Sequence, residues 1–281
     1  MNAANYRKES RRRWASTASG WEARADALRR STMPVSMWML DAIAPQAGHD
    51  LLELAAGTGD TGFLAAELIE PGGTLISTDF VPEMLSAAQR RAEALGLRNV
   101  RFRQVDAEVI DQEAASLDGV LCRWGYMLMA DPEAALRETR RVLRQGAHVA
   151  LAAWTGPKEN QWSAAPVREL VARGLLEPPE GDAPGQFAWA REGVIAEHLD
   201  AAGFVDYEVS TVAFAMRYAS VEDWWIAQTE MSMRTADAAA AMDAGAREDL
   251  LAALDRIAEP WRQPDGTLRI PAGTWVAAAS G

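Results

Sequence analysis

Short apolar runs alternate with segments of helical period between residues 50 and 154. "DLLELA", "TLISTD", "VRFRQVD", "LDGVLCRW" and "HVALAAW" are too short for buried helices and read as five strands. Between them lie "TGFLAAELIE", "PEMLSAAQRRAEALG" and "PEAALRETRRVLRQG", with apolar residues three and four apart, which predicts helices over 61–70, 82–96 and 132–146. The last two open on proline and close on glycine. Proline gives up no needed N–H in a first turn, and glycine accepts the left-handed geometry that ends a helix. Alternation of this kind predicts a parallel sheet with helices on both faces. The rhythm breaks after Trp154. Residues 155–189 carry Pro157, Pro166, Pro178, Pro179 and Pro184, the composition of an irregular, lid-like insertion. "REGVIAEHLDAAGF" restores a helix and "VDYEVSTVAFAM" a strand; residues 219–262 are Ala-rich and helical, and "GTLRIPAGTWVAAAS" supplies a final strand. The expected division is an N-terminal helical arm over 1–49, a core over 50–156, and cap insertions with the last two strands over 157–281.

Composition narrows the classes. The 281 residues are 49% hydrophobic, ample for a packed core, and no apolar run reaches the ~18 residues of a membrane span. "MNAANYRKESRRRW" is charged with no apolar segment behind it, so it is not expected to be a secretory signal. A single cysteine, Cys122, rules out an internal disulfide framework and a multi-thiolate metal site; a cytoplasmic location and no metal are expected. The net charge of −12 speaks against a nucleic-acid partner, which needs a positive footprint. The exception is residues 7–30, where Arg7, Lys8, Arg11, Arg12, Arg13, Arg24, Arg29 and Arg30 face three acids. They form either a solvated helical face or a patch that attracts an anionic substrate.

Gly57, Gly59 and Gly62 spell G-x-G-x-x-G after the first strand, and Asp79 follows about twenty residues on. Such a turn lets a ligand approach the backbone at a helix N-terminus, and by itself it fits a dinucleotide. The surrounding charge separates the possibilities. The C-terminal ends of the first three strands bring Glu53, Asp60, Asp79, then Asp106 with Glu108, to one rim of the sheet. A like-charge contact at ~4 Å costs about 1 kcal/mol in water and about 4 in a partly shielded cleft. Carboxylates therefore oppose a pyrophosphate and favour the sulfonium and ammonium of S-adenosylmethionine. Glu53 is placed for the methionine end, Asp79 for both ribose hydroxyls, and Asp106 with the Ala107 backbone for adenine. Phe80 and Met84 offer apolar faces to the ring.

"LLELAAGTGDTG", "STDFVPEML", "VDAE" and "LDGVLCRWGYMLMADPEAALRETRRVLRQGAHVALAAW" resemble, in order and spacing, the motifs of class I S-adenosylmethionine-dependent methyltransferases, especially the ubiquinone/menaquinone-biosynthesis branch. The resemblance covers residues 50–156 and implies an α/β, Rossmann-like sheet of seven strands with helices on both faces, its last strand antiparallel. It implies cofactor contacts from Glu53, Ala55, Gly57, Thr58, Gly59, Asp79, Phe80, Met84, Asp106, Ala107, Glu108, Arg123 and Trp124, with S-adenosylhomocysteine as product. Phe80 departs from the small aliphatic residues common there, and the substrate region matches no particular member.

In-line methyl transfer depends mainly on holding the acceptor ~3 to 3.5 Å from the methyl carbon. A base is needed only for an acceptor that must lose a proton. His49, His148 and His198 are not expected at the site. Tyr126, just past the fourth strand, is the candidate for orienting the acceptor, with Arg123 and Asp131 nearby. Eleven tryptophans, eight of them in the arm and insertions, read as cap cores or as an apolar pocket over the methyl group. The expected acceptor is a hydrophobic small molecule such as a polyketide, quinone or terpenoid, methylated on oxygen or carbon. Two alternatives stand beside this one: a methyltransferase fold that uses its pocket for a non-methylating reaction such as cyclisation, and a dinucleotide-dependent oxidoreductase.

Overall fold

Continuous aliphatic runs bury both faces of a strand, which is what a central parallel strand requires. The computed structural model of the chain describes residues 2–178 and 183–281, and Pro179, one of the prolines of the expected insertion, lies outside them. Its core is a sheet with β1 (Asp50–Glu53), β2 (Thr74–Asp79), β3 (Val100–Gln104), β4 (Leu117–Arg123), β5 (Leu143–Trp154), β6 (Tyr207–Tyr218) and β7 (Leu268–Ser280). The order is β3-β2-β1-β4-β5-β7-β6, with β7 antiparallel to both of its neighbours. The expected seven-stranded sheet is therefore present. Leu51, Leu52, Leu75, Val120 and Leu121 in its centre are almost fully buried.

Helices α2 (Asp60–Leu68), α3 (Pro82–Leu95) and α4 (Pro132–Val142) connect the parallel strands. α3 ends at Gly96, whose φ of 72° is the left-handed stop expected there. α4 stops four residues before the expected Gly146 and its chain passes directly into β5. The ladder explains this correction. Leu143 pairs with Leu117, and the Ala115 and Ser116 N–H groups donate to the Arg141 and Val142 carbonyls, so strand pairing takes residues that local periodicity assigns to the helix.

The N-terminal arm is a single helix, α1 (Ala3–Ile43), 41 residues long and continuous through Pro34. Its C-terminal half lies on one face of the sheet, where Val35, Met39, Leu40 and Ile43 pack with Leu51, Leu121 and Val276. Its N-terminal half projects past the sheet rim. The proline-rich stretch is partly helical, as α5 (Gln161–Ala172) with Pro166 inside it. α6 (Val194–Ala202), α7 (Val221–Met231), α8 (Met233–Ala240) and α9 (Ala244–Ala258) complete the chain. Among the described residues no helix is long and apolar enough to cross a membrane.

Candidate functional site

β1 and β4 are neighbours at the centre of the sheet, while the connections after them run to opposite sides, through β2 and β5. A crevice opens above such a reversal because the two connections diverge. At its two lips stand the non-glycine residues Ala55 (φ 50°) and Trp124 (φ 62°). A left-handed bulky residue costs on the order of 1–3 kcal/mol and persists only where its surroundings hold it. Gly125 lets the lips meet: a Cβ there would fall 2.8 Å from the Ala55 Cβ and 2.7 Å from the Cys122 sulfur. That thiol is buried and its pKa is pushed up to about 12, so it packs as an apolar group.

The glycine turn has three different reasons for its three glycines. Gly57 (φ 55°) has open space where a side chain would stand, and its positive φ is what requires glycine there. At Gly59 a Cβ would strike the Phe63 ring at 2.3 Å. At Gly62 it would strike Oε2 of Glu53 at 2.2 Å, so the third glycine lets α2 approach the acid that ends β1. Glu53 is buried; its Oε1 accepts from the Gly62 N–H at 2.7 Å and its Oε2 from Ser77 Oγ at 3.4 Å. Burial raises its pKa to about 7, against the opposing pull of the Gly62 N–H and Arg123. Asp79 accepts from the Gly57 N–H and the Val81 N–H, both at 2.9 Å, and burial raises its pKa to about 6. Two buried carboxylates thus flank a glycine turn at a switch point. A cation lowers the cost of ionising them, and a pyrophosphate would raise it.

The other expected acids behave differently. Asp60, grouped by sequence with the negative rim, is neutralised: Arg91 Nη1 donates to it at 2.8 Å and Arg123 Nη2 at 3.1 Å. Arg123 also donates to Thr32 Oγ1 at 2.7 Å and Ser36 Oγ at 3.1 Å, so it ties α1 to the start of α2. Thr58 is buried in the turn, and its carbonyl accepts from Arg91. Glu108 accepts from the Ala130 and Asp131 N–H groups at 3.1 and 3.0 Å and pairs with Arg7, which leaves Asp106 as the outermost carboxylate, 3.4 Å from Arg7 Nε. Ala107 is buried, its methyl turned into the main core.

The N-terminal half of α1 packs over the segment that follows β2. Trp14, Ala15, Ala18 and Trp21 of α1 pack on Phe80, Val81 and Met84. Arg11 donates to the Phe80 carbonyl at 2.9 Å, and Tyr6 donates to the Leu128 carbonyl at 2.7 Å. Sequence reasoning placed these tryptophans in a cap but gave no partner for them. Their spacing of seven in "WASTASGW" puts both on one helical face, and that was the available signal.

Across the switch point lies an aromatic cluster. Trp124 stacks on Trp154 with ring centroids 4.1 Å apart and planes 11° apart; Phe214 and Trp162 complete the wall. Trp124 Nε1 donates to Thr274 Oγ1 at 2.9 Å. Trp154 was missed as a site residue, although it is the last residue of β5 on the same rim. Tyr126 takes a different place from the one expected. Its hydroxyl lies 2.7 Å from Thr139 Oγ1 of α4 and its ring stacks on Trp189, all within the core. Trp189 in turn stacks on His198.

Residues 45–168 match the family model described as a methyltransferase domain. Among curated relatives, the nocamycin O-methyltransferase of Saccharothrix syringae is 30% identical over 182 residues, covering 62% of this chain and 65% of that one. The demethylmenaquinone methyltransferase of Thermus thermophilus is 36% identical over 118 residues, 42% of this chain and 53% of that one. The chain thus spans between half and two thirds of the length of these relatives. The YcgJ protein of Bacillus subtilis shares the fold, with a TM-score of 0.58 at 18% identity over 87% of this chain and 97% of that one.

Proposed function

We infer, from the match of residues 45–168 to a methyltransferase-domain family model and from the motifs that resemble class I S-adenosylmethionine-dependent methyltransferases, that this chain moves a methyl group onto a hydrophobic small molecule. The observation that carries the reading is the pair of buried carboxylates, Glu53 and Asp79, on either side of the open Gly57 turn. When bound, S-adenosylmethionine supplies a methyl group on a sulfonium leaving group and departs as S-adenosylhomocysteine. Glu53 would face its cationic methionine end and Asp79 the ribose hydroxyls. Ala55, Gly57, Thr58 and Gly59 would give their backbone to the crossing chain. Phe80 and Met84, closed over by α1, would hold the adenine, with Asp106, Glu108 and Ala107 at its far edge and Arg123 bracing the turn from below.

Trp124, Trp154 and Phe214 would hold an apolar acceptor and exclude water, so that the chemistry rests on orientation. Relatives named as a nocamycin O-methyltransferase and a demethylmenaquinone methyltransferase support transfer to a small molecule, and the acceptor proposed here bears a phenol or enol, methylated on oxygen or carbon. The test is incubation with S-adenosylmethionine labelled in its methyl group and a panel of phenolic, quinol and enolic acceptors, read as label in the product. Label transfer to at least one of them is expected. Tight binding of NAD or FAD with no binding of S-adenosylhomocysteine would return the chain to the oxidoreductases.

A further inference from the structure

β6 stands at the end of the sheet, next to β7. It has 12 residues, about twice the common strand length, and pairs with β7 without a break from Tyr207↔Ala279 to Tyr218↔Leu268. Along an antiparallel ladder, successive residues aim their backbone groups to opposite sides. The Ser280 N–H donates to the Asp206 carbonyl at 3.0 Å in this register, so the even-numbered residues of β6 face β7. Val209, Thr211, Ala213, Ala215 and Arg217 therefore point their N–H and C=O groups away from the sheet. Among the described residues no strand pairs with that edge, and Val209, Thr211 and Ala213 are exposed. Beside Ala213, Ala215 and Arg217 an open cleft of about 440 Å³ separates the strand from Arg30 and Pro34 of α1, which leaves room for a neighbour.

Sheets blunt a free edge with proline, a bulge or charges along it. The middle of β6, "VSTVAFAM", has no proline and no charge, and its ladder has no bulge. Its charges stand at the two ends and are opposite in sign. Asp206 and Glu208 lie at the start; Arg217 lies at the finish, with Arg269 facing it on β7 and Arg30 across the cleft. Among the described residues none of these five joins an ion pair, although Arg24 of α1 holds both Asp223 and Glu230. We propose that β6 pairs antiparallel with β6 of a second copy of this chain, about a two-fold axis at Val212. Ala213 then faces Thr211 of the second copy, Ala215 faces its Val209, and Arg217 faces its Tyr207. Opposite residues share a face, and the outward-pointing groups close a new ladder. The reversal carries the acidic end of each strand to the basic end of the other. Arg217 arrives where the Tyr207 hydroxyl donates to Asp200 at 2.7 Å, so a third carboxylate stands within its reach. Acids there relieve the repulsion between Arg217 and Arg269. The interface is self-complementary and closes at two copies, joining two sheets into one.

Sedimentation velocity of the full chain over a micromolar concentration series should show a species of two chains. Arg217→Glu and Glu208→Arg each set like charges against one another at both ends of the seam, and each should raise the dimer Kd about tenfold. An equal mixture of the two variants should pair within about threefold of wild type, because each then presents the charge that the other lacks. Ala213→Pro removes an outward N–H without touching the β7 ladder and should leave single chains. Hydrogen exchange at Val209, Thr211, Ala213 and Ala215 should slow as the concentration rises, with Ser210 and Val212 unchanged. Far-ultraviolet circular dichroism matching wild type in each variant separates loss of pairing from loss of fold. Wild type that sediments as a single chain throughout would overturn the proposal. So would a dimer that all three variants leave intact, or a mixture that pairs no better than its components.

Discussion

Glu53 and Asp79 are worth most to the ligand-free chain when protonated. Both folded-state pKa values lie above the ordinary ones of 4.5 and 3.8, so their contribution to stability is complete below those values and is lost as pH rises through about 7 and about 6. A bound cation reverses the preference and drives the protons off. Affinity for S-adenosylhomocysteine, which keeps the ammonium group, should therefore rise between pH 5.5 and 7.5. Calorimetry in two buffers of different ionisation heat should show proton release that Glu53→Gln diminishes; a flat profile would contradict the assignment. Gly62→Ala tests the same acid from behind. Its backbone is helical, so folding should survive, but the new methyl displaces the carboxylate, at a cost of about 1.5–3 kcal/mol in binding, or about 10- to 150-fold in Kd. Tyr126→Phe loses the bond to Thr139, about 1 kcal/mol of stability by chemical denaturation, with turnover within about twofold. Unaltered stability with a large fall in turnover would restore Tyr126 to the acceptor. The sequence placed Glu53 and Asp79 correctly at strand ends. It could not show that Asp60, a neighbour of the same charge, is cancelled by two arginines 31 and 63 residues away.

At the scale of elements, α1 has two halves with different duties. Residues near its C-terminus are core, with Val35 and Met39 fully buried, whereas the N-terminal half is held by Tyr6, Arg7, Arg11 and the Trp14–Trp21 pair over the crevice. Segments with few buried contacts open at lower free energy than the core. Hydrogen exchange in residues 3–22 should slow on addition of S-adenosylhomocysteine, while residues 35–43 stay unchanged. Equal protection in both halves before and after would mean that the helix does not act as a lid. A helical arm could be read from the sequence, but its single 41-residue course could not, because Pro34 and Gly20 are both breakers by local rule. Packing decides at Gly20, where a Cβ would lie 2.1 Å from the Glu230 carbonyl oxygen of α7: the close approach of two helices needs that glycine. The early end of α4 has the same origin, since pairing with β4 outweighs helical propensity at Leu143.

For the whole molecule, the sheet joins two chemically unlike regions, a pair of buried acids beside the glycine turn and an aromatic cluster across the switch point. Binding only to the folded state stabilises by mass action, about 2.7 kcal/mol at a hundredfold excess over Kd. S-adenosylhomocysteine at that level should raise Tm by about 5 °C in a chain of this size, and NAD should not. A shift with NAD alone would oppose the charge argument on which the site rests. By itself the sequence determined the parallel core, the order of its strands and helices, the glycine turn and the two acids beside it, because period, cap residues and strand-end positions are local properties. Only the tertiary structure decided which carboxylates are paired with arginines, where the tryptophans gather and which way Tyr126 points. Those outcomes depend on contacts between segments far apart in the chain, and the distance between two side chains is set by the packing of the elements that carry them.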